Sequence, residues 1–288
     1  MKTHTYILRN LSNLHVRQGD SDMDVIDKKV QRDPTTSFPT IRSSGVKGAL
    51  REYFDHKDSS DIDRLFGTGT QGNERGEKLK YATGALFFGQ GYLLSLPLRS
   101  DLFPYFHVTT PGLIKAFLDQ LTLREEPLAA EWKLLLSPLA KMDNATLSRP
   151  AVFRSGQDGA ILEEESFKAA YTSMQAHGIS EDAQPAWRKK VEGLLGGPFA
   201  VMRNEDFAEF SRDLPIIARN RLNHGVSENL WYEEIVPREA RFFLLMKGPE
   251  KDLADFEKVV HEHVIQLGAN ATIGYGQTLF TRLSTPKA

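Results

Sequence analysis

Arg241-Phe242-Phe243-Leu244-Leu245-Met246, apolar at every position after the arginine, looks like a strand, and Trp231 to Val236 looks like another just before it. Pro249 to Leu267 then reads as an amphipathic helix, and Ala271 to Leu283 as a last strand. Working back toward the N-terminus, Tyr6-Ile7-Leu8 begins a strand, and Gly84 to Phe88 and Tyr92 to Leu96 are strand-like runs bounded by glycine and Pro97. Pro111 opens a helix through Leu121, as proline in a first turn does. Strands separated by helices, with the last helix feeding a final strand, predict an α+β fold. Its core is a ferredoxin-like (RRM-like) antiparallel sheet with insertions, in one domain over 1–288.

The 288 residues carry 36 Lys plus Arg against 38 Asp plus Glu, so the chain is neither a basic tail nor an acidic solvating one. The middle, residues 101–215, holds the acidic excess, 12 basic against 17 acidic. Its short helices and strands have no legible order. Zero cysteines exclude disulfides, Cys-ligated zinc, iron–sulfur clusters and a thiol nucleophile. No apolar run approaches the roughly 20 residues of a membrane helix. The expectation is a soluble, cytoplasmic protein without a membrane partner.

Ile41-Arg42-Ser43-Ser44-Gly45-Val46-Lys47-Gly48-Ala49-Leu50-Arg51 starts a helix, with Ser44 as its cap and Val46, Leu50, Tyr53 and Phe54 at one-face spacing. Hydroxyls, first-turn N–H groups and the positive dipole end stand beside Arg42, Lys47 and Arg51, which suits phosphate. Lys47 and Arg51 are four apart and share a face. A plain capped helix with solvated cations reads the same stretch. Leu267 to Gln277 holds Gly268, Gly274 and Gly276 where a backbone turns or approaches a ligand, with Tyr275 as a candidate base-stacking ring. It has neither a Walker lysine nor the dinucleotide fingerprint.

Asn10 to Asp33 reads as a long loop, and a short helix covers Asp61 to Phe66. Gly67 to Gly76 is a mobile loop by composition. Asp20, Asp22 and Asp24 alternate as a metal loop does, but the glycine and terminal glutamate of an EF-hand are missing, so solvated acids are expected. Glu163-Glu164-Glu165 is a solvated face, and His261 and His263, two apart on the expected helix, face different ways.

These stretches, together with Leu14-His15-Val16 and Ile26-Asp27-Lys28-Lys29-Val30-Gln31-Arg32-Asp33-Pro34, resemble the RAMP superfamily of CRISPR proteins. Within it, they are similar to the backbone subunit of type III-B (Cmr) effector complexes. The shared order is a histidine after the first strand, an acidic loop ending Gln-Arg-Asp, the serine–lysine helix start, and a late glycine-rich loop. Leu65-Phe66-Gly67, Pro97 to Ser100 and Tyr232-Glu233-Glu234 also match, so the resemblance covers most of the chain. The sequence departs at Arg42-Ser43, where the family has Pro-Gly, at Gly45 for the second serine, and at Lys28-Lys29 for apolar and proline residues.

The resemblance implies a subunit that polymerises along a guide RNA (crRNA) with further copies of itself and other Cmr subunits. Arg42, Ser43, Ser44, Lys47, Arg51, Gly274, Tyr275 and Gly276 would grip the guide. A projecting β-hairpin thumb, placed at 212–232 with Arg219 and Arg221 near its tip, would displace nucleotides at regular intervals. The loop 12–40 would present Asp27 for Mg²⁺- or other divalent-cation-dependent cutting of complementary single-stranded target RNA, with His15 orienting phosphate or assisting proton transfer. A cyclic phosphate and a 5′-hydroxyl would result. A scaffold that only binds guide RNA and positions target is the alternative, and a metabolic enzyme would need a closed polar pocket that no constellation here supplies.

Overall fold

The computed structural model describes residues 1–19, 26–57, 59–68, 82–143, 147–153, 160–162 and 167–286. The acidic run Asp20, Asp22 and Asp24, most of the 67–76 loop, and Glu163-Glu164-Glu165 lie outside the described residues. The chain begins β1 (Lys2–Asn10), β2 (Thr40–Ile41), α1 (Ser43–Asp55), α2 (Ile62–Phe66), β3 (Phe87–Phe88), β4 (Gly91–Arg99), β5 (Tyr105–Thr109), α3 (Pro111–Leu123) and α4 (Ala129–Ala140). Two-residue strands follow, β6 (Ala151–Val152), β7 (Ile161–Leu162), β8 (Phe167–Lys168) and β9 (Ala170–Tyr171), then α5 (Gln184–Leu195), β10 (Phe199–Val201) and α6 (Asn204–Arg212). The last part is β11 (Ile216–Asn223), β12 (Val226–Glu234), β13 (Arg241–Gly248), α7 (Glu250–Val260), β14 (His263–Gln266) and β15 (Gln277–Arg282).

The main sheet runs β14-β15-β1-β13-β4-β5-β10-β6-β9. β1 is central, with Tyr6 opposite both Leu244 and Arg282. Both faces of this sheet are covered, which is why Phe242 to Met246 reads as a continuous apolar run instead of an alternating one. Tyr6, Leu8, Leu244 and Met246 pack with Phe54 of α1 and Phe256 of α7, whose rings stack 5.4 Å apart. Ile7, Phe243 and Leu245 pack with Phe117 of α3 and Trp132 of α4. Each such buried side chain contributes roughly 1.5–3 kcal/mol.

β4 joins two parts of the sheet. Its first half pairs with β13, and Leu96 to Arg99 pair with β5. The acidic middle therefore extends the same sheet. There β10 pairs with β5 and β6 with β9 in parallel, so the sheet is mixed and not antiparallel throughout.

Several expected boundaries move. The helix expected over 249–267 stops at Val260, because Glu262 takes a left-handed φ of 59° and the chain turns back as β14 along β15. His261 thus caps the helix and His263 lies in a strand. The last strand starts at Gln277, not Ala271, since Asn270, Gly274 and Gly276 all have positive φ. α1 begins two residues early, with Arg42 at the cap position and no capping side chain, so Ser44 sits inside the first turn. The 10–33 loop is tied down where it is described, by bridges Leu14↔Val236 and Arg17↔Val30.

Candidate nucleic-acid interface

β11 and β12 form a two-stranded hairpin of their own, separate from the main sheet, with its tip at His224-Gly225. Residues 221–230 are exposed throughout, including Leu222, Val226 and Leu230. Apolar side chains held in the open on a hairpin make a surface suited to a partner. Arg221, near the tip, lies 3.4 Å from Glu228 across the hairpin.

At the foot of the hairpin the loop carrying Asp27 docks alongside β12. Lys28 N–H donates to the Tyr232 carbonyl, Glu234 N–H to the Lys28 carbonyl, and Tyr232 N–H to Asp27 Oδ2 at 2.8 Å. Asp27 is exposed while the residues on either side are half-buried, so the loop displays its carboxylate at the surface beside the hairpin.

Glu233 organises this foot. Its side chain is buried, and its two oxygens accept from Lys28 (2.8 Å), Trp231 Nε1 (2.8 Å), Arg219 (2.9 Å) and Asn270 Nδ2 (2.9 Å). Lys28 and Arg219 both lie over the Trp231 ring, 4.8 and 5.5 Å from its centroid. Burial pushes the Glu233 carboxyl up, but the hydrogen bonds from Lys28, Trp231 and Arg219 outweigh it and hold it down at about 2. One carboxylate therefore ties together the Asp27 loop, the hairpin and the glycine loop. Its neighbour Glu234 accepts from Arg32 and from Val30 N–H, and Arg32 also donates to the carbonyls of Ser211 and Arg212 at the end of α6.

His15 is 1% exposed. Its Nδ1 lies 2.8 Å from the Glu234 carbonyl, and Nε2 is buried with no hydrogen-bond partner. The ring sits behind the Asp27 loop, on the Glu234 side, and not at the surface where a substrate would arrive.

The glycine loop packs on the same segment. Ala269 N–H donates to the His15 carbonyl and Gly276 N–H to the Asn13 carbonyl. A Cβ on Gly276, whose φ is 75°, would meet the Leu267 carbonyl oxygen at 1.9 Å, and one on Gly268 the His15 carbonyl oxygen at 2.5 Å. Gly274 has a φ of 84° with open space around it, and Tyr275 beside it is half-buried. Gly276→Ala is therefore expected to lower the thermal midpoint severely. Gly274→Ala adds only the left-handed backbone cost of roughly 1–2 kcal/mol. Scanning calorimetry on both variants measures the difference, and equal midpoints would refute it.

The start of α1 forms the wall of a surface groove. Arg42, Ser43 and Ser44 line it with Gln18, Arg32 and Gln90, and all three are exposed. Arg42 N–H donates to Gln31 Oε1, which ties the helix start to the Asp27 loop. Lys47 is half-buried, 5.9 Å over Phe88. Arg51 does not extend this line of cations: its guanidinium donates to the Gly67 carbonyl and to Asp63, fastening α1 to α2. Likewise Arg219 is spent on Glu233. The site thus gathers Asp27, Arg219 and Tyr275 at one foot and Arg42, Ser43 and Ser44 along one groove, with Lys47 further along α1.

A family model described as the RAMP superfamily matches residues 7–279. The chain belongs to the RAMP superfamily. This RAMP protein is 26% identical to the CRISPR system Cmr endoribonuclease Cmr4 of Pyrococcus furiosus, over 96% of this chain and 94% of that one. Its fold resembles a solved chain of a type III-B Cmr-beta complex bound to cognate target RNA, with a TM-score of 0.71 and 22% identity, covering 98% and 97% of the two chains. The oligomeric Cmr4 of Pyrococcus furiosus gives a TM-score of 0.67 at 21% identity, over 98% of each chain. No helix among the described residues of the RAMP protein is long and apolar enough to cross a membrane.

What sequence reading missed is the hub. Trp231 and Asn270 carry no motif of their own, and Glu233 matched only as part of Tyr232-Glu233-Glu234. Asn270 follows Gly268 and Ala269 and takes the left-handed φ that asparagine tolerates, the one local sign that it sits at a tight turn.

Proposed function

We propose that this chain is the guide-RNA-binding backbone subunit of a type III-B CRISPR effector complex, and that it cuts complementary single-stranded target RNA at regular intervals. The exposed Asp27 carboxylate fixed to the foot of an apolar-tipped hairpin, in a chain that is a RAMP over nearly its whole length, carries this reading. The ferredoxin-like core is supported by the strand order β15-β1-β13-β4, with α1 and α7 following the first and third of these strands in chain order. Copies of the chain would line the guide, with the α1 groove along its backbone and each hairpin spacing one cut from the next.

Asp27 is the catalytic residue in this proposal. Among the described residues no cluster of three or more His, Asp or Glu side chains is arranged to hold a metal ion, and Glu233 and Glu234 are already engaged by cations. Asp27, exposed and bonded by Tyr232 N–H at one oxygen, would hold a hydrated divalent ion such as Mg²⁺ through its carboxylate. When bound, the ion would neutralise charge on the scissile phosphate. Tyr232 N–H fixes the direction of the carboxylate, and the hub fixes the loop. The adjacent 2′-hydroxyl, held in line by the displaced backbone, would bond to phosphorus as the bond to the 5′-oxygen breaks, its proton passing through water to the departing 5′-oxygen, which leaves a cyclic phosphate and a 5′-hydroxyl. His15, enclosed behind Glu234, is a positioning residue.

The test is cleavage of a guide-complementary single-stranded RNA by the assembled complex with Mg²⁺ and with EDTA. Regularly spaced products that vanish with EDTA are expected. Normal target binding without any cutting would leave a scaffold. Guide binding should also report the groove: Lys47→Gln reduces affinity and lowers the slope of log K against log salt by about 0.7. An unchanged slope in a salt titration would remove Lys47 from the interface.

A further inference from the structure

Beyond the α1 groove, the sheet carries a second set of groups that no part of the proposed reading uses. Thr3, Lys247 and Phe87 are cross-strand neighbours in β1, β13 and β3, and therefore point to one face. The preceding row on that face, Ile7, Phe243 and Leu245, is buried under α3 and α4. Phe87 lies past the end of that cover and is 53% exposed. Arg124, at the end of α3, places its guanidinium over the ring, 6.0 Å from the centroid. The Arg124 backbone is held from below, because Thr3 Oγ1 donates to the Arg124 carbonyl at 2.5 Å.

Three observations favour a nucleotide here. The cavity lined by Phe87, Arg124 and Lys247 contains no carboxylate, and among the described residues neither cation is ion-paired. Gln120 lines it too, offering its amide to a base edge, as does Gln90 through its Oε1, its Nε2 being engaged by Asp33 and Thr40. Ser43 of the α1 start lines both this cavity and the α1 groove, so the two are continuous. The turn that carries Phe87 is also rigid: Gly89 N–H donates to the Leu245 carbonyl at 2.9 Å, and a Cβ on Gly89 would meet that oxygen at 2.5 Å. A flat apolar face with an overlying cation, held on a rigid support in an anion-attracting hollow, is a stacking site for single-stranded nucleic acid.

We infer that Phe87 and Arg124 form a base-stacking platform that receives one nucleotide of the single-stranded RNA leaving the α1 groove, with Lys247 taking its phosphate. This rests on the RNA-binding reading above and adds a specific subsite to it. Because the ring is half exposed and outside the core, its replacement leaves the fold intact.

The experiment measures fluorescence anisotropy of the full-length chain with a labelled single-stranded RNA and with a strand of equal length and charge made of abasic residues. Phe87→Ala should weaken binding to the ordinary strand about 5- to 50-fold, Phe87→Trp should restore it, and neither should alter binding to the abasic strand. Arg124→Gln should weaken both, the ordinary strand more. Lys47→Gln is the control for the α1 groove. Wild-type affinity in Phe87→Ala beside a weakened Lys47→Gln overturns the platform and leaves the broader reading standing. Equal losses on the two strands assign Phe87 to packing and overturn it as well. No RNA binding by the wild-type chain overturns both.

Discussion

Asp27→Ala is expected to abolish cutting of a guide-complementary RNA by the assembled complex, while assembly and target binding stay at wild-type levels. The structural cost is small. Asp27 is exposed and gives up one hydrogen bond from Tyr232 N–H, worth about 0.5–1.5 kcal/mol. The loop keeps Lys28 on Glu233, Val30 on Glu234 and the backbone bonds to β12. The chemical cost is large, because removing a group that stabilises charge in the transition state slows the step about 10²–10³-fold. Asp27→Asn retains an acceptor for Tyr232 N–H without the charge, and it should be as inactive as the alanine variant. Single-turnover product formation reads both variants. Undiminished cutting by Asp27→Ala would move the active site elsewhere, and full activity in Asp27→Asn alone would show that geometry suffices without charge.

Glu233→Gln has the next largest expected effect, and it acts on stability and activity together. The substitution leaves Lys28 and Arg219 beside Trp231 without their counter-charge. Breaking a fully buried pair costs about 3–5 kcal/mol, and since the two cations keep side-chain exposures of 32% and 22%, about 2–3 kcal/mol is expected here. That corresponds to a thermal midpoint lower by roughly 4–8 °C. Cutting falls as well, because the loop bearing Asp27 loses its anchor, whereas guide binding through the α1 groove is retained.

The same carboxylate sets an acid limit. Glu233 is held at about 2 in the folded chain against an ordinary 4.5, so its stabilisation is complete above about 4.5. It erodes as pH falls from there and is gone below about 2. The midpoint difference between wild type and Glu233→Gln should shrink over that window. A difference that stays constant from pH 5 to pH 2 would mean that the carboxylate does not carry the hub.

The strands that carry the core were legible because Tyr6-Ile7-Leu8 and Phe242 to Met246 are apolar on both faces. α1 and α3 were legible from one-face spacing and from Pro111. Beyond Val260 the reading ran on, since Val264 and Ile265 continue an apolar pattern that a strand shares, and only the backbone reversal at Glu262 separates the two. The acidic middle resisted because its strands β6 to β9 are two residues each, too short for any period. For the site, Asp27 and the α1 start were singled out through their motif context. Arg51 and Arg219 were read as free cations, and each proves to be engaged by a group in another segment, Asp63 and Glu233, that no local pattern marks.

The central position of β1 also bears on how the protein comes into being. Its partners, β13 and β15, begin more than 200 residues later in the chain, as Lys2 pairs with Gly248 and Tyr6 with Arg282. On a ribosome adding about 5–20 residues per second, the first strand is made on the order of tens of seconds before its neighbours exist. Asp27 likewise waits for Tyr232. A nascent chain thus cannot assemble the foot of the hairpin around Asp27 until translation is almost complete, and its earliest apolar strand must be kept from other chains in the meantime.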